Sequence, residues 1–447
     1  MPEYDVIVIG AGTAGYAAAT ILRESGASVA IVEKELVGGV CNFWGCMPSK
    51  TLLRPGTVAW EASHTAGVGQ PTLQWRDIAR SRDTIVHEYR DEPQVEHLEK
   101  AGVVFHRGKA QIVGSGAVQV SGQILHGRHL IVATGSVASI PPIDGLLEAG
   151  FWTNREATEL KEIPGSIVVI GGGAIGCELG QMVRNYGAEV TLVEESDHLL
   201  DQENPDAARY LQDQFAEQGI VLQLGCRATK IEQRNGQRIL TLDNGQIVTG
   251  EAVLVATGRT PVTEHLGLDC VGVQIGKQGI QIDNQCRAAE GVWAVGDVVG
   301  AEFTHVADYQ AQIAADDIMG HSRLADYRAI PRIAYTDPEI AAVGIAESSK
   351  APEGMEIITA GTDLATGSRT VTYGQDYTGQ LCVFADRKEQ VLVGAWAVGP
   401  LASEWIQFAT LAIRARVPIS VLDDTMLAFP TFMREYMYPL HQLKTQL

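Results

Sequence analysis

An internal repeat restricts the possible folds of this chain more than any other feature. Residues 5–33 read DVIVIGAGTAGYAAATILRESGASVAIVE, and residues 166–194 read SIVVIGGGAIGCELGQMVRNYGAEVTLVE. The glycines of a GxGxxG motif, a later glycine, a valine and a closing glutamate recur at a constant offset of 161 residues. The matched pairs are Gly10 and Gly171, Gly12 and Gly173, Gly15 and Gly176, Gly26 and Gly187, Val29 and Val190, and Glu33 and Glu194.

Each copy has the pattern of a strand, a glycine-rich turn, a helix and a second strand. The first glycine of the motif permits a tight turn, and the second lets the backbone approach a pyrophosphate. The third lets the helix pack closely against the strand. Backbone amides at the helix N-terminus then hold the phosphate charge. The sequence therefore predicts two dinucleotide-binding βαβ units, a stronger indication than one isolated motif.

Each unit ends in an acidic residue, Glu33 in the first and Glu194 in the second. Both follow the third glycine at close to the spacing of about 20 residues expected for a carboxylate that binds a ribose hydroxyl. Such a carboxylate repels the extra phosphate of NADP, and residues 194–197 read EESD, without an arginine. We therefore expect NAD(H) rather than NADP(H) in the second unit. The alternative interpretation is that either glutamate simply ends an exposed strand.

Further strand-like runs extend the candidate nucleotide sites. One run ends at Thr134 and Gly135 in the sequence IVATG, and a matching run ends at Gly258 in LVATG. The buried run GVWAVGDV contains Asp297, whose carboxylate can accept hydrogen bonds from a bound polyol. Beyond Pro331 the runs are strand-like and then helical, without a nucleotide signature. These patterns predict an α/β fold with two Rossmann-like domains and a C-terminal α+β domain.

Charge and hydropathy exclude several classes of partner. The formal net charge of −20 argues against nucleic acid or an anionic membrane surface as a partner. No apolar run reaches the length of about 18 residues that a membrane-spanning helix needs. The seven scattered cysteines do not suggest a secreted disulfide framework, and no signal peptide is expected, because the sequence enters a strand pattern almost at once. A cytoplasmic location is expected, and no metal site is predicted.

The segment VGGVCNFWGCMPSK carries the most reactive pair of residues, Cys41 and Cys46. In one continuous helix their Cα atoms would lie roughly 8 to 9 Å apart, beyond the disulfide range of under about 7 Å. A bond between them needs a distorted turn, which Gly45 and Pro48 permit. A strained disulfide has a more oxidising potential, which suits a catalytic pair. The alternative is two buried free thiols.

The order of these motifs resembles the FAD-dependent pyridine nucleotide-disulfide oxidoreductases, whose members include dihydrolipoamide dehydrogenase, glutathione reductase and mercuric reductase. The motifs are GxGxxG, GGxCxxxxCxPSK, ATG, a second GxGxxG, a second ATG and AxGD. The resemblance implies that the first unit binds FAD, the second binds NAD(H), and the C-terminal domain forms a homodimer interface. It implies FAD-binding residues 1–150 and 265–325, an NAD-binding domain at 151–264 and a dimerisation domain at 326–447.

The same resemblance implies roles for individual residues. Cys46 would lie against the flavin as the charge-transfer thiolate, and Cys41 would be the interchange thiol that meets a small-molecule electron donor or acceptor. Lys50 would contact the edge of the flavin ring, and Glu178 would pair with Lys50. Asp297 would bind the ribityl chain. The remaining cofactor-binding residues would be Gly10, Gly12, Gly15, Glu33, Thr134 and Gly135 for FAD, and Gly171, Gly173, Gly176, Glu194 and Gly258 around the second nucleotide.

The chain departs from the family near its C-terminus. Disulfide-reducing members carry a His-Pro-Thr motif with a glutamate five residues after the histidine, and that histidine is the acid/base for the interchange thiol. Here Phe429 occupies the histidine position and Arg434 the glutamate position. General acid–base catalysis contributes typically about a hundred- to ten-thousandfold in rate, so we expect slow dihydrolipoamide turnover. Glu435, Tyr436 or His441 could substitute.

Three functions are compatible with these residues. The first is an NADH-dependent, dihydrolipoamide dehydrogenase-like oxidoreductase with an unknown acceptor. The second is an enzyme of reductive C–S cleavage and carboxylation, because 2-ketopropyl-coenzyme M oxidoreductase/carboxylase also has phenylalanine in place of the histidine. The third is a flavin electron-transfer protein, a quinone or metal reductase, or a redox sensor. The C-terminal sequence KTQL lacks the cysteine pair of mercuric reductase, which argues against that enzyme.

Overall fold

The computed structural model describes residues 3–374 and 377–447. The chain forms two compact units, each built from three segments. Unit 1 contains residues 1–48, 80–139 and 258–326, and unit 2 contains residues 49–79, 140–257 and 327–447.

Unit 1 is built around a mixed sheet whose central strands are parallel. The glycine-repeat strand Tyr4–Ile9 lies between Val29–Glu33 and Gln123–Val132 and is parallel to both. The sheet has the strand order Arg287–Ala289, Val292–Ala294, Gln123–Val132, Tyr4–Ile9, Val29–Glu33, Val104–Arg107. Two antiparallel strands, Ala110–Gly114 and Ala117–Val120, extend it from Gln123–Val132.

Helices and short strand pairs complete unit 1. The helix Thr13–Glu24 of the first βαβ unit packs beside Thr304–Ile318, with small buried residues such as Ala18 and Ala311 in one core. The remaining helices are Gly39–Phe43, Glu92–Lys100 and the 3-10 turns His87–Tyr89, Leu268–Val271 and Gly296–Val299. Short strands pair as Ser136–Ala138 with Arg259–Pro261, and Ile275–Gly276 with Gly279–Ile280. The helices Cys46–Ser63 and Trp75–Ile85 begin in one unit and end in the other.

Unit 2 repeats the design in its central segment. A four-stranded parallel sheet has the order Val221–Gln223, Glu189–Val193, Ser166–Ile170, Ala252–Val255. Its helices are Leu146–Ala149, Asn154–Thr158, Ala174–Asn185 and Pro205–Glu217. A three-stranded antiparallel sheet follows, formed by Ala228–Arg234, Gln237–Leu242 and Ile247–Gly250. The two predicted βαβ units and the α/β fold are therefore confirmed.

The C-terminal segment of unit 2 is an α+β structure. Five antiparallel strands have the order Pro331–Ala334, Glu339–Gly344, Val391–Gly399, Gln380–Asp386, Ile357–Asp363. The helices are Ala402–Trp405, Gln407–Ala415, Ile419–Asp423 and Met437–Gln446, with 3-10 turns at Ser348–Lys350, Leu364–Thr366, Thr370–Thr372 and Phe432–Tyr436. Apolar residues of the sheet, such as Ala341 and Val383, share one core with helix residues such as Ile413 and Leu440.

Candidate active site

The first glycine loop has the geometry that a bound pyrophosphate requires. Gly10 has φ +100°, in the left-handed region, and a Cβ there would collide with the carbonyl oxygen of Ala133. A Cβ on Gly15 would collide with the carbonyl of Gly10, so the helix can begin close to the strand only with glycine. Gly12 precedes the helix Thr13–Glu24 and gives it no side-chain cap. The first amides of that helix are therefore left for an anion.

The second glycine loop reproduces this geometry in unit 2. Gly171 has φ +107°, and a Cβ there would collide with the carbonyl oxygen of Ala256. A Cβ on Gly176 would collide with the carbonyl of Gly171. A Cβ on Gly173 would meet no atom within 4 Å, so open space lies above this loop. The predicted glycine roles are thus matched by local geometry in both units.

Both acidic residues hold the loop of their own unit. Glu33 accepts hydrogen bonds from the amides of Ala11 and Glu35, each at 2.7 Å. Glu194 accepts equivalent hydrogen bonds from Gly172 at 2.5 Å and from Ser196 at 2.8 Å. Each carboxylate therefore lies against its glycine loop, and ribose binding by these two residues stays a prediction.

Asp297 belongs to a hydrogen-bonded group in unit 1. The Ser136 hydroxyl donates to Asp297 Oδ2 at 2.5 Å, and Arg259 Nε donates to the Ser136 hydroxyl at 2.7 Å. Arg259 Nε lies 3.6 Å from Asp297 Oδ2. Oδ2 thus has partners in the protein, which orients the carboxylate. Ser136 and Arg259 were not predicted from the sequence, although Arg259 directly follows the second ATG.

The glycines and threonine of the ATG motifs join the same region of unit 1. Gly135 and Gly258 have φ values of +70° and +113°. The Thr134 hydroxyl donates to the carbonyl oxygen of Val262 at 2.7 Å, and the amide of Val262 donates to the carbonyl of Gly135 at 2.9 Å. The amide of Ser139 donates to the carbonyl of Gly258 at 2.9 Å. These bonds fix the segments that carry Ser136 and Arg259.

Unit 1 fits the FAD that the sequence resemblance implies. Its glycine loop leaves uncapped helix amides for a pyrophosphate, and a Cβ on Gly12 would extend into open space, with only the Cα of Gly39 within 4 Å, at 3.9 Å. Glu33 lies at the end of the second strand, and Asp297 offers an oriented carboxylate for hydroxyl groups. The residues that would hold the cofactor are therefore present in suitable local conformations.

The two cysteines lie on separate helices in the same unit. Cys41 lies within Gly39–Phe43, and Cys46 is the first residue of Cys46–Ser63. Trp44, with φ −137° and ψ 4°, ends the first helix. The chain therefore does not continue as one helix through both cysteines, in agreement with the distorted turn that their spacing predicts.

The two cysteines are not joined in a disulfide in the described structure, and they share a hydrogen-bond partner, Thr304. The Thr304 hydroxyl donates to Cys41 Sγ at 3.4 Å and lies 3.4 Å from Cys46 Sγ. A hydrogen bond to Cys46, burial and the charge of Cys46 raise the pKa of the Cys41 thiol well above its ordinary value, whereas the Thr304 hydroxyl lowers it. Cys41 therefore holds its proton more tightly than an exposed cysteine does.

Lys50 and Glu178 form an ion pair in unit 2, which confirms the predicted pairing. Lys50 Nζ lies 2.7 Å from Glu178 Oε2, and the Glu178 side chain is only 7% exposed. The amide of Tyr335 donates to Glu178 Oε1 at 2.9 Å, and Lys50 Nζ lies 4.6 Å from the centre of the Tyr335 ring. The ion pair is therefore fixed by a backbone amide and an aromatic ring.

Phe429 lies on the surface of the described chain. Its side chain is 70% exposed, and the guanidinium carbon of Arg434 lies 5.4 Å from the centre of its ring. Phe429 and Arg434 thus contact each other as a cation–π pair. Whether Phe429 occupies the proton-shuttle position stays a prediction.

The three possible substitutes lie in different surroundings. Glu435 and Tyr436 are buried, and burial raises the pKa of both side chains. His441 is exposed, and its Nδ1 lies 3.4 Å from Asp423 Oδ1. Burial thus disfavours the ionised forms of Glu435 and Tyr436, whereas His441 lies at the surface beside Asp423.

Thr304 is the contact of the cysteine pair that the sequence did not reveal. The neighbouring His305 is exposed and stacks on Phe303, with ring centres 5.4 Å apart. A threonine carries no chemical signature of its own, and its position depends on the fold. The only available signal was its place at the start of a helix that follows the AxGD strand.

Comparisons with known proteins cover nearly the whole chain. Residues 4–311 match the family model described as pyridine nucleotide-disulphide oxidoreductase, and residues 330–438 match its dimerisation domain. Mercuric reductase from Staphylococcus aureus is 34% identical over 440 residues, which is 96% of this chain and 80% of that protein. Dihydrolipoyl dehydrogenase from Halobacterium salinarum is 34% identical over 96% of this chain and 93% of its own length.

The solved structures agree with these sequence matches. LpdA from Mycobacterium tuberculosis superposes with a TM-score of 0.89 at 27% identity, covering 98% of this chain and 99% of that chain.

Within the described residues, every helix is too short or too polar to cross a membrane. The same residues contain no cluster of three or more His, Cys, Asp or Glu side chains arranged to hold a metal ion.

Proposed function

Because the chain belongs to the pyridine nucleotide-disulphide oxidoreductase family, and is therefore a flavin-dependent enzyme, we propose that it passes electrons between NADH, FAD and the Cys41–Cys46 pair. The acceptor beyond the pair would be a small molecule. This reaction resembles that of dihydrolipoamide dehydrogenase but lacks its histidine-based proton exchange.

The observation that carries the proposal is the geometry of the two thiols. Cys41 and Cys46 are within hydrogen-bonding reach of each other and of one hydroxyl, so a disulfide between them needs only a small local movement. A pair that can open and close suits reversible thiol–disulfide chemistry.

Cys46, Cys41 and the Lys50–Glu178 ion pair would have separate roles in the reaction. When bound, FAD accepts a hydride from the nicotinamide and supplies the electron pair that opens the disulfide. Cys46 begins an 18-residue helix, whose N-terminal amides favour the thiolate. Cys41 takes the single proton that disulfide reduction requires and would then meet the acceptor. Lys50 follows Cys46 by one helical turn, and Glu178 fixes the direction of its cation.

NADH is proposed as the nicotinamide substrate because of Glu194. Its carboxylate faces the second glycine loop, and the residues after it are Glu195, Ser196 and Asp197. A 2′-phosphate there would meet negative charge without an arginine to bind it.

We also propose a homodimer, supported by the match to the dimerisation domain. We also propose a reducing, cytoplasmic compartment, which suits seven cysteines that form no disulfide within the described residues.

A second candidate function is reduction of an acceptor that needs no proton exchange at Cys41, such as a quinone or a thiophilic metal ion. Phe429 favours it, because an aromatic ring cannot give or take the proton that a disulfide substrate needs. The 34% identity to a mercuric reductase is compatible with a metal acceptor. The alternative of reductive C–S cleavage with carboxylation also depends on Phe429.

Anaerobic titration of the purified holoenzyme tests the proposal. We expect NADH to bleach the yellow protein and to produce a long-wavelength charge-transfer band, with NADPH reacting at least about tenfold more slowly. Cys46→Ser should abolish the band, and Cys41→Ser should keep it. Cys270→Ser, which changes an exposed cysteine outside the pair, is the matched control. An unchanged band in both variants of the pair would contradict the thiol assignment.

Acceptors are then compared by stopped-flow measurement of reoxidation. Lipoamide and small disulfides test the first candidate, and quinones, thiophilic metal ions and oxygen test the second. Fast reoxidation by quinone or metal with slow reoxidation by disulfides would favour the second candidate. Equal rates with NADH and NADPH would contradict the role of Glu194.

A further inference from the structure

Thr304 contacts both sulfur atoms of the reactive pair. Its hydroxyl donates to Cys41 Sγ at 3.4 Å and lies at the same distance from Cys46 Sγ, where either atom can be the donor. A hydroxyl has one proton to donate and lone pairs that accept. Thr304 can therefore accept a proton from one thiol while it donates its own to the other sulfur.

We propose that the Thr304 hydroxyl is a catalytic proton carrier between Cys41 and Cys46, an inference that rests on the thiol function proposed above. In the reduced pair, Cys41–SH and Cys46–S⁻ exchange to Cys41–S⁻ and Cys46–SH. The Cys41 S–H bond breaks as the proton passes to the Thr304 oxygen, and the original Thr304 proton passes to Cys46. One S–H bond is lost and one is formed, with no change in electron count.

This transfer lets either cysteine of the pair become the nucleophilic thiolate without the help of an acid–base residue such as histidine. The pKa of Cys41 is raised by its hydrogen bond to Cys46, by burial and by the charge of Cys46, and Thr304 opposes them by stabilising the thiolate. Threonine does not ionise in the working pH range, so the proton stays within the pair. Thr304 would thus let Cys41 become the attacking thiolate, but it would not release a proton to solvent as an imidazole does.

The position of Thr304 supports this role. Thr304 is the first residue of the 15-residue helix Thr304–Ile318, and no side chain caps that helix. Partial positive charge at a helix N-terminus stabilises a nearby thiolate. The hydroxyl and the helix end therefore favour ionised sulfur in the same place.

Alkylation of the reduced holoenzyme tests the inference without any acceptor. The protein is reduced with dithiothreitol, treated briefly with iodoacetamide over a range of pH, and mapped by mass spectrometry to score each cysteine. Thr304→Val should slow alkylation of Cys41 by about tenfold at pH 7, since loss of a hydrogen bond to a charged group is worth about one pKa unit. Thr304→Ser should restore the rate to within about twofold.

A matched control and a folding check make the outcome decisive. Thr84→Val removes an exposed threonine hydroxyl that donates to the carbonyl of Arg80, and it should leave both cysteine rates unchanged. FAD content and circular dichroism show whether each variant is folded, and Thr304→Ser remains informative if the valine variant is not. Unchanged Cys41 alkylation in folded Thr304→Val, or no restoration by serine, would overturn the inference.

Failure of the proposed function gives a different pattern. If wild-type protein shows no charge-transfer band with NADH but Thr304→Val still slows alkylation, the proton carrier stands and the proposed NADH reaction is wrong. If the band is present and alkylation is unaffected by Thr304→Val, the proposed NADH reaction stands and the proton carrier is wrong.

Discussion

At the scale of single residues, the chemistry of the pair depends on where one proton can go. Cys46 is the first residue of a helix, and a hydrogen bond to Cys46 together with burial raises the pKa of the Cys41 thiol, so Cys41 holds its proton tightly. Thr304 allows that proton to move within the pair. Turnover with a disulfide substrate also needs a proton to enter or leave, and Phe429 cannot carry it.

Restoring an imidazole tests this limit. We expect Phe429→His combined with Arg434→Glu to raise lipoamide-linked NAD reduction by at least about tenfold, within the range of general acid–base catalysis. Phe429→His alone should give a smaller gain, because the guanidinium now 5.4 Å from the ring would lower the pKa of the new imidazole. Steady-state assays with dihydrolipoamide measure both effects.

The matched control is Phe429→Leu, which removes the ring without adding a base. It should leave the rate within about twofold of wild type. If neither histidine variant is faster than the leucine variant, Phe429 does not occupy the proton-shuttle position.

At the scale of elements, sequence periodicity and glycine spacing were sufficient for the two βαβ units. These signals are local, since a glycine that must adopt positive φ between a strand and a helix leaves its mark in the sequence. The edge strand Ile357–Asp363 was not predicted, because it pairs on one side only and its alternation of buried and exposed residues is irregular. Thr304 was missed because its contacts join residues far apart in the sequence.

The connection between two C-terminal strands contains a titrating carboxyl, Asp337. Its amide and carbonyl bond the side chain of Gln181 at 2.8 Å, so the backbone is fixed independently of the carboxyl. Burial, and then the charges of Glu61 and Glu339, raise the pKa of Asp337 to about 7 against the lowering effect of Arg54. The folded state therefore binds the proton more tightly than the unfolded state.

Stability should fall as pH rises from about 4 to about 7, because the folded protein must give up a proton that the unfolded chain has already lost. Asp337→Asn removes this penalty and keeps the Gln181 bonds. At pH 8 we expect the variant to unfold about 2 to 4 °C above wild type, and at pH 4 the difference should vanish. Scanning calorimetry from pH 4 to pH 8 measures the unfolding temperatures of both proteins. An equal difference in unfolding temperature at the two pH values would exclude titration of Asp337 as its source.

At the scale of the whole molecule, the sequence predicted the fold class but not how segments group. Residues 49–79 follow the cysteine segment directly, yet Leu52 and Leu53 pack in one core with Leu179 and Met182 of unit 2. Such grouping depends on which apolar surfaces meet after folding. The assignment of separate FAD and NAD domains, with the boundaries given above, stays a proposal.

The C-terminal segment also exposes apolar side chains that a single copy leaves in water. Met426 is 98% exposed, and Leu411, Phe429 and Tyr438 are also exposed. They lie within residues 330–438, which match the dimerisation domain. Exposed apolar side chains that come together in one patch mark interaction surfaces. A second copy of this chain is the partner that the family match indicates.

We therefore predict sedimentation at twice the chain mass of 48.0 kDa at micromolar concentration. Met426→Asp should shift the protein towards monomer, because a two-fold interface contains each substitution twice and burying a carboxylate without a partner is strongly unfavourable. Leu147→Asp, which changes a side chain 76% exposed outside this domain, should leave the dimer intact.

Reduction by NADH should survive in the monomer if each chain holds its own FAD and thiol pair, whereas reoxidation by the acceptor should be lost if the partner completes the site. Wild-type protein that sediments as a monomer would contradict the dimer, and a monomeric variant with full acceptor turnover would show that each chain is complete alone.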